Sequence, residues 1–201
     1  MIKTVIILTL SLKFEDYCIA AYDASRNEMV RLVRNTAREN GIPKKYAYGI
    51  ELLDEVTIKV LDYCPKEHQT ENVKIDLDYG LKKTGRSASI DSIYDCLQKG
   101  PAVFGSTDYR VWDVSRLDHS LEIVKFRNMH IQQREVKGKN KTKANFICDS
   151  ENHIGYSVTD AKFFDSDKRI ASGYSIVSLP ASDDFTEQYG YFKYISAIYS
   201  D

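Results

Sequence analysis

The sequence predicts a mainly β protein with one amphipathic helix. Apolar and polar residues alternate with a period of two along most of the chain, and the links between these alternating segments are short. A single segment has helical spacing instead. The pattern predicts about ten or eleven strands, a number that suits two small barrels of about five strands each or one large sandwich.

The composition excludes several classes of protein. The 201 residues include only 10 glycines and 4 prolines, which argues against a collagen-like or disordered chain. The 28 basic residues are balanced by 29 acidic ones, which argues against attraction of nucleic acid or membrane by the charge of the whole molecule. Four widely spaced cysteines form no C-x-x-C pair, which predicts a reduced, cytoplasmic location.

The amino-terminal segment predicts a meander of three antiparallel strands. Residues 1–12 are apolar but lack a small-residue cleavage site and pass directly into charged residues, which favours a buried strand over a signal peptide. No other stretch approaches the roughly 20 apolar residues of a membrane span, so we expect no membrane partner. The three strands are predicted at residues 5–12, 17–23 and 28–34.

The middle of the chain predicts further strands and then the helix. Alternation is clear over residues 56–61 and 72–79. In residues 89–99, Ile90, Ile93 and Leu97 recur with helical spacing, Ser89 can act as the N-cap, and Gly100 with Pro101 ends the helix. Strands resume beyond it, at residues 121–126, 129–135, 144–148, 154–160, 174–179 and 191–199.

Several segments together resemble the bacterial dual OB-domain proteins. The opening of that family runs as an apolar strand, a C-V-A-G-x-D-like strand and E-W-I-R-P-V. The similar segments here are residues 5–8 (VIIL), 17–23 (YCIAAYD), 28–33 (EMVRLV), 52–54 (LLD), 69–72 (QTEN), 156–160 (YSVTD) and 177–179 (VSL). The sequence departs from the pattern at Met29, Leu32, Ala21 and Arg34, where Trp, Pro, Gly and a small polar residue are expected. Without the Trp, this strand lacks one flat stacking surface.

The resemblance implies two OB-like five-stranded barrels, which we place at residues 1–79 and at residues 80–201 with the helix. It also implies nucleic-acid or nucleotide binding and a part in a prokaryotic defence system, with no settled catalytic activity. The family-pattern residues Gln69, Glu71 and Asn72 could anchor the junction of the barrels by hydrogen bonds, which we favour, or line a cleft that reads a base or ribose.

A basic stretch near the amino end is the first candidate nucleic-acid surface. Cations that follow phosphates and aromatic rings that stack on bases hold single strands, and an OB barrel binds around its second and third strands. The candidate residues here are Tyr17, Tyr22, Arg26, Arg31, Arg34, Lys44 and Lys45, with Arg38 between them. Alternatively, the arginines pair with the acidic residues that are abundant between positions 46 and 81.

A second basic stretch, residues 134–143, adds Lys137 and Lys139 to the candidates. Its glycine and asparagines predict a flexible hairpin whose lysines could contact phosphates without reading sequence. A solvated surface tip is the alternative, and we favour it because most charge runs are solvated.

Catalytic motifs are absent from the sequence. One hypothesis is a metal-dependent nuclease, because such an enzyme needs converging carboxylates and the sequence has them at 149, 151, 160, 165 and 167. Asp165 and Asp167, however, are typical of a turn. The histidines show no metal-ligand spacing, and neither G-x-S-x-G nor a glycine-rich phosphate loop occurs. We therefore expect no catalytic residue, no metal and no cofactor.

The sequence thus favours a non-catalytic module that binds single-stranded nucleic acid or a nucleotide. The alternative is a protein-interaction or scaffolding subunit with a protein partner, because 14 tyrosines and 8 phenylalanines suit an interface. The metal-dependent nuclease ranks third.

Overall fold

The computed structural model describes residues 1–13, 15–34, 41–97 and 103–200. Over these residues the chain divides into two compact units, Met1–Leu97 and Gln98–Asp201. The predicted boundary at residue 79 falls inside the first unit, because the strand at Lys82–Ser87 pairs with the strand at Asp54–Tyr63. No helix in the described residues is long and apolar enough to cross a membrane.

Eight strands are described in the first unit. They are β1 (Ile2–Ile7), β2 (Ser11–Lys13), β3 (Asp16–Asp23), β4 (Glu28–Val33), β5 (Ile42–Pro43), β6 (Asp54–Tyr63), β7 (Asn72–Ile75) and β8 (Lys82–Ser87). Five of them form a closed ring in the order β1-β3-β4-β7-β6, with β6 pairing back onto β1. Antiparallel pairing changes to parallel only between β4 and β7, so the last strand of the ring lies between its third and fourth strands.

Alternation decides which side chains fill the first ring. Inward positions carry β-branched and aliphatic residues, including Val5, Ile7, Ile19, Val56 and Ile58, each at most 1% exposed. Their polar neighbours along the strands point outward, as a period of two requires. The resulting core is continuous around the ring.

The predicted helix is α1, Ile90–Leu97. Ile93 and Leu97 are its buried residues, as expected for the i, i+4 spacing of one helical face. The predicted stop at Gly100 and Pro101 lies outside the described residues.

The second unit has seven described strands and a short helix. They are β9 (Arg110–Val111), β10 (Leu121–Val136), β11 (Lys139–Cys148), β12 (Glu151–Val158), β13 (Lys168–Ser178), α2 (Asp184–Tyr189), β14 (Tyr191–Phe192) and β15 (Tyr194–Ser200). A closed barrel forms in the order β10-β11-β12-β15-β13, and β9 and β14 form a separate two-stranded sheet. As in the first unit, the third and fifth strands of the barrel are parallel.

Two predicted strands, at 121–126 and 129–135, are one continuous strand in the structure. A bulge separates them, since the pairing of β10 with β11 shifts register between Arg127 and His130. Asn128 has a left-handed backbone with a φ of 50°, which asparagine tolerates better than most residues. The bulge therefore bends the strand around the barrel without ending it.

The fold class predicted from sequence is confirmed: the chain is mainly β and contains a five-stranded barrel and a second ring of five strands. In each unit the strands follow the order 1-2-3-5-4 around the ring. The predicted helix is present, and α2 is a further helix that the sequence analysis did not predict.

Candidate nucleic-acid interface

The arginines of the first unit lie against carboxylates. The guanidinium of Arg31 is 3.7 Å from the Glu71 carboxylate, and these side chains are only 12% and 8% exposed. The guanidinium of Arg34 is 3.2 Å from the Asp16 carboxylate. These ion pairs favour a structural role for both arginines, and their predicted contact with phosphates stays a prediction.

Arg26 also has a carboxylate partner. Its Nε lies 2.6 Å from Glu28, and its guanidinium lies 4.5 Å from the centre of the Tyr63 ring. Across the same end of the ring, Lys3 forms an ion pair with Asp23. The three described arginines of the basic stretch are therefore each paired with a carboxylate of the first unit.

The two tyrosines predicted in this stretch are not open stacking surfaces. Tyr22 is 7% exposed, and its hydroxyl donates to Asn27 Oδ1 over 2.8 Å. Tyr17 is half-buried and packs against the apolar core of the ring. By contrast, Lys44 and Lys45 are exposed in a single 3-10 turn. Arg38 lies outside the described residues.

The family-pattern residues lie at the end of the connection from β6 to β7, with Asn72 the first residue of β7. Gln69 and Asn72 are each 3% exposed, and Asn72 Nδ2 donates to Gln69 Oε1 over 3.4 Å. Glu71 is the partner of Arg31. These contacts lie within the first unit and hold the three residues in place there. The anchoring of the junction between the barrels and the reading of a base both stay predictions.

The second unit presents cations of a different kind, on the hairpin formed by β10 and β11. Arg134 lies directly opposite Lys141, and Gln132, two residues before Arg134, lies opposite Lys143. Side chains two residues apart on a strand point to the same side, so Arg134, Lys141 and Lys143 share one face of the hairpin. We call the following residues the cationic strip: Arg134, Lys137, Lys139, Lys141 and Lys143. None of them forms an ion pair with another residue that the structure describes.

Lys143 shows how closely these charges approach one another. Its ammonium donates to Ser157 Oγ over 2.8 Å and to the Gly155 carbonyl over 3.1 Å. Burial lowers the pKa of Lys143, and the neighbouring charges of Lys141 and Arg134 lower it further. Like charges directly opposite each other destabilise a hairpin, so an anion bound over this face would relieve a repulsion that the free protein carries.

Aromatic side chains, four exposed and one half-buried, lie close together beside the hairpin. We call five residues of the second unit the aromatic platform: Tyr109, Trp112, Phe185, Tyr189 and Phe192. Trp112 is 61% exposed and Phe185 is 54% exposed. The guanidinium of Arg110 lies 4.1 Å from the Trp112 ring and donates to the Tyr189 carbonyl over 3.2 Å. The result is an aromatic surface with a cation in it.

The local sequence explains how α2 contributes to the platform. Asp183 caps the helix, with its side chain accepting from the Thr186 N–H over 2.8 Å while Thr186 bonds back to it. Phe185 and Tyr189 are four residues apart, so they share one face and their ring centres are 5.0 Å apart. Gly190 ends the helix at a φ of 79°.

Gly190 also lets the two-stranded sheet approach α2. A Cβ at this position would lie 3.2 Å from the Trp112 ring and 3.1 Å from the Val111 carbonyl. Alternation in the sheet then directs Tyr191 into the core, at 7% exposure, and Phe192 towards the surface. The sheet therefore adds Phe192 to the platform, and Trp112 follows directly after β9.

Lys137 joins the two surfaces. It lies in the two-residue turn of the hairpin with Gly138, both at positive φ, as a tight hairpin turn requires. Its ammonium lies 5.8 Å from the centre of the Tyr189 ring. The turn connects the first two strands of the barrel, and α2 with β14 lies in the connection from the fourth strand to the fifth. In OB folds these two connections flank the ligand-binding face.

Lys137 and Lys139 were predicted from the sequence, but the aromatic platform was not. Four residues of the platform lie outside the strands predicted from alternation, Phe192 falls in the strand predicted at 191–199, and no single segment contains all five. The runs YRVW at 109–112 and QYGYF at 188–192 were the available signal. Neither run shows that β9 pairs with β14, and this pairing brings the two runs together.

Two carboxylates of the nuclease hypothesis have separate contacts. Asp160 is buried and accepts from the Lys162 and Ile198 N–H groups, and burial raises its pKa. Asp167 lies 3.2 Å from His130. The described residues contain no group of three or more side chains placed to hold a metal ion.

A model of the dual OB-containing domain family matches residues 3–198 of the chain. No curated protein matches it significantly. Among solved structures, the crystal structure of the tetrameric p202 HIN2 aligns with 100% of this chain and 91% of its own, at 10% sequence identity and a TM-score of 0.37.

Proposed function

Because the chain belongs to the dual OB-containing domain family, we propose that it binds single-stranded nucleic acid on its second barrel. The observation that carries the proposal is the junction of the cationic strip with the aromatic platform at Lys137 and Tyr189. One surface supplies charges for phosphates, and the other supplies rings for bases. Together they provide what a single strand needs from a protein.

The two surfaces account for different parts of the binding free energy. Each base stacked on an aromatic ring contributes about 1–3 kcal/mol without reading sequence. Each phosphate neutralised by a cation adds a contribution that falls as salt rises. A duplex hides the faces of its bases, so the platform favours single strands. Arg110, within the platform, can stack on a base or contact a phosphate.

The test is fluorescence anisotropy of a labelled oligothymidine titrated with the protein at several salt concentrations. We expect saturable binding that weakens as salt rises. The salt slope, which is the slope of the logarithm of the association constant against the logarithm of the salt concentration, should be about −2 to −3.5 if three to five cations of the strip contact phosphates. Trp112 is the single tryptophan of the chain, so stacking on it also quenches the intrinsic fluorescence. Duplex of the same length should bind more weakly and leave that fluorescence nearly unchanged.

Failure would be equally clear. If single-stranded DNA, single-stranded RNA and duplex all fail to bind at low salt, the proposed function is wrong.

A protein partner is the second candidate, because exposed Trp, Tyr, Phe and Arg are also typical of protein interfaces. Stoichiometric co-purification of one protein, lost in Trp112→Ala and unaccompanied by nucleic acid, would favour this alternative. The part in prokaryotic defence and the cytoplasmic location stay predictions.

A further inference from the structure

A buried polar cluster lies beneath the aromatic platform. Lys193 is 0% exposed, although it follows the platform residue Phe192 directly. Its ammonium donates to the Val103 and Ser106 carbonyls, each over 2.7 Å, and to Ser106 Oγ over 3.1 Å. A buried charge must be satisfied by such contacts. Here all three go to one short segment, two of them to its backbone carbonyls.

Tyr156 connects this segment to the barrel wall. It extends inward from β12 and is 0% exposed. Its hydroxyl donates to the Asp108 carbonyl over 3.2 Å and accepts from Lys193 over 3.3 Å. His153 Nδ1 lies 3.0 Å from the same hydroxyl. Burial lowers the pKa of His153 to about 4, so at neutral pH the imidazole is uncharged and can donate from Nδ1.

The segment held by this cluster leads directly into the platform. Residues 103–108 precede Tyr109, whose carbonyl accepts from the Lys193 N–H over 2.9 Å. The next pair in the same ladder is Phe192 with Arg110. Val103 and Phe104 are buried in the core and form a single 3-10 turn, in which Phe104 has a left-handed backbone with a φ of 47°. Between this turn and Tyr109, the polar contacts of Ser106 and Asp108 with the cluster fix the backbone.

We propose that Lys193 and Tyr156 are positioning residues of the aromatic platform. By fixing residues 103–108 to the barrel wall, they determine where Tyr109 and Trp112 stand relative to Phe192. A methionine at 193 would fill similar space without a buried charge, but it would remove the ammonium donor from both carbonyls and leave the Val103 carbonyl only the Ser106 N–H. The consequence for ligand binding rests on the proposed function. The consequence for the platform itself does not.

The test compares Tyr156→Phe and Lys193→Met with Ser175→Ala as the matched control. Ser175 is 0% exposed, and its hydroxyl donates to the Ala197 carbonyl over 2.9 Å between β13 and β15. The control therefore removes a buried hydrogen bond from the same barrel but not from the cluster. The first readout is quenching of Trp112 fluorescence by acrylamide, which needs no nucleic acid.

We expect a higher quenching constant and a red-shifted emission in both cluster variants, and wild-type values in Ser175→Ala. If Lys193→Met does not fold, Tyr156→Phe decides, because it removes only a hydroxyl. Wild-type quenching in every folded cluster variant overturns the inference. So does a change in Ser175→Ala as large as theirs, since the effect would then be general loosening of the barrel.

The second readout is oligothymidine affinity in the same variants. The cationic strip is unaltered, so we expect Tyr156→Phe to bind about fivefold more weakly with an unchanged salt slope, as the partial loss of one stacking contact predicts. If wild type binds no nucleic acid, the proposed function fails while the quenching comparison still tests the positioning role. Altered quenching with wild-type affinity would overturn the link from the cluster to binding.

Discussion

At the level of single residues, Trp112 should contribute most to the recognition of bases. It is 61% exposed and lies 4.1 Å from the Arg110 guanidinium. Trp112→Ala should weaken oligothymidine binding about tenfold, the equivalent of one base stack, and leave the salt slope unchanged. Fluorescence anisotropy measures the effect.

Tyr48→Ala is the matched control, since Tyr48 is 92% exposed but lies in the first unit. Its affinity should equal that of wild type. If Trp112→Ala binds with wild-type affinity, the aromatic platform is not part of the binding surface.

Lys193 makes a prediction about stability and pH. Burial lowers the pKa of Lys193 to about 8, although Glu122 and Asp108 raise it in part. In the unfolded chain the lysine keeps its proton up to its ordinary pKa, so between pH 8 and pH 10 the unfolded state binds more protons. The free energy of unfolding of wild type should therefore rise relative to that of Lys193→Met, by about 2 kcal/mol over this range.

Urea denaturation of both proteins at a series of pH values measures this difference, because the other titrating groups are common to both. If the free energies of unfolding of the two proteins change in parallel with pH, Lys193 has its ordinary pKa in the folded protein.

Individual site residues were only partly predictable from the sequence. The lysines at 137 and 139 stand in a recognisable basic hairpin, but the ion pair of Arg31 joins residues 40 positions apart. Local charge counting cannot tell a phosphate-binding arginine from one neutralised by a distant glutamate. A buried lysine such as Lys193 is equally hidden, because the alternation YFKY gives no sign of its carbonyl partners.

At the level of elements, the positive charges on the hairpin of β10 and β11 should favour binding of nucleic acid and lower the stability of the folded protein. Lys141 stands directly opposite Arg134, and like charges in that position repel. Lys141→Gln should therefore leave the free energy of unfolding unchanged or raise it by a few tenths of a kcal/mol. The same change should weaken oligothymidine binding and reduce the salt slope by about 0.7, the contribution of one phosphate contact.

Thermal denaturation and the salt series measure the two effects. Lys162→Gln, an exposed lysine of the same unit outside the strip, should alter neither property. A loss of stability in Lys141→Gln would mean that the hairpin depends on this lysine for a contact other than the repulsion.

Elements with long, regular alternation were predictable, and short ones were not. The strand at residues 72–79 was predicted from its pattern, and its first half is β7. The helix α2 has only six residues, too few for a helical period to appear in the sequence. Its capping box, Asp183 with Thr186, was the available signal. The bulge at Asn128 divided one strand into two predicted ones, because the extra residue reverses the alternation.

At the level of the whole molecule, the two units use their charges differently. In the first unit, Arg31 and Glu71 are 12% and 8% exposed and paired, so removing one leaves a charge in a poorly solvated place. Arg31→Ala should lower the free energy of unfolding by about 2 kcal/mol. Oligothymidine affinity should change less than about twofold, because no phosphate contact is lost.

Urea denaturation and anisotropy on the same preparation separate these effects. Arg31→Ala combined with Glu71→Gln should recover part of the stability. If Arg31→Ala instead keeps its stability and loses most of its affinity, the binding surface lies on the first barrel, where the sequence analysis placed it.

The overall architecture was accessible from sequence because family-pattern segments occur along both units in a fixed order. The resemblance supplied the barrel type where the strand count left a sandwich equally open. The location of the proposed binding surface was not accessible from the sequence, since it depends on which cations pair with carboxylates after folding.

The position of β15 has a consequence for the order in which the molecule is made. This strand lies between β12 and β13 and pairs with both, so the second barrel cannot close until residues 194–200 have left the ribosome. The first ring is complete once β7 has been synthesised, more than a hundred residues earlier. A chain stalled before Tyr194 would therefore carry one finished ring and one open sheet with two bare edges, the kind of nascent intermediate that chaperones protect from aggregation.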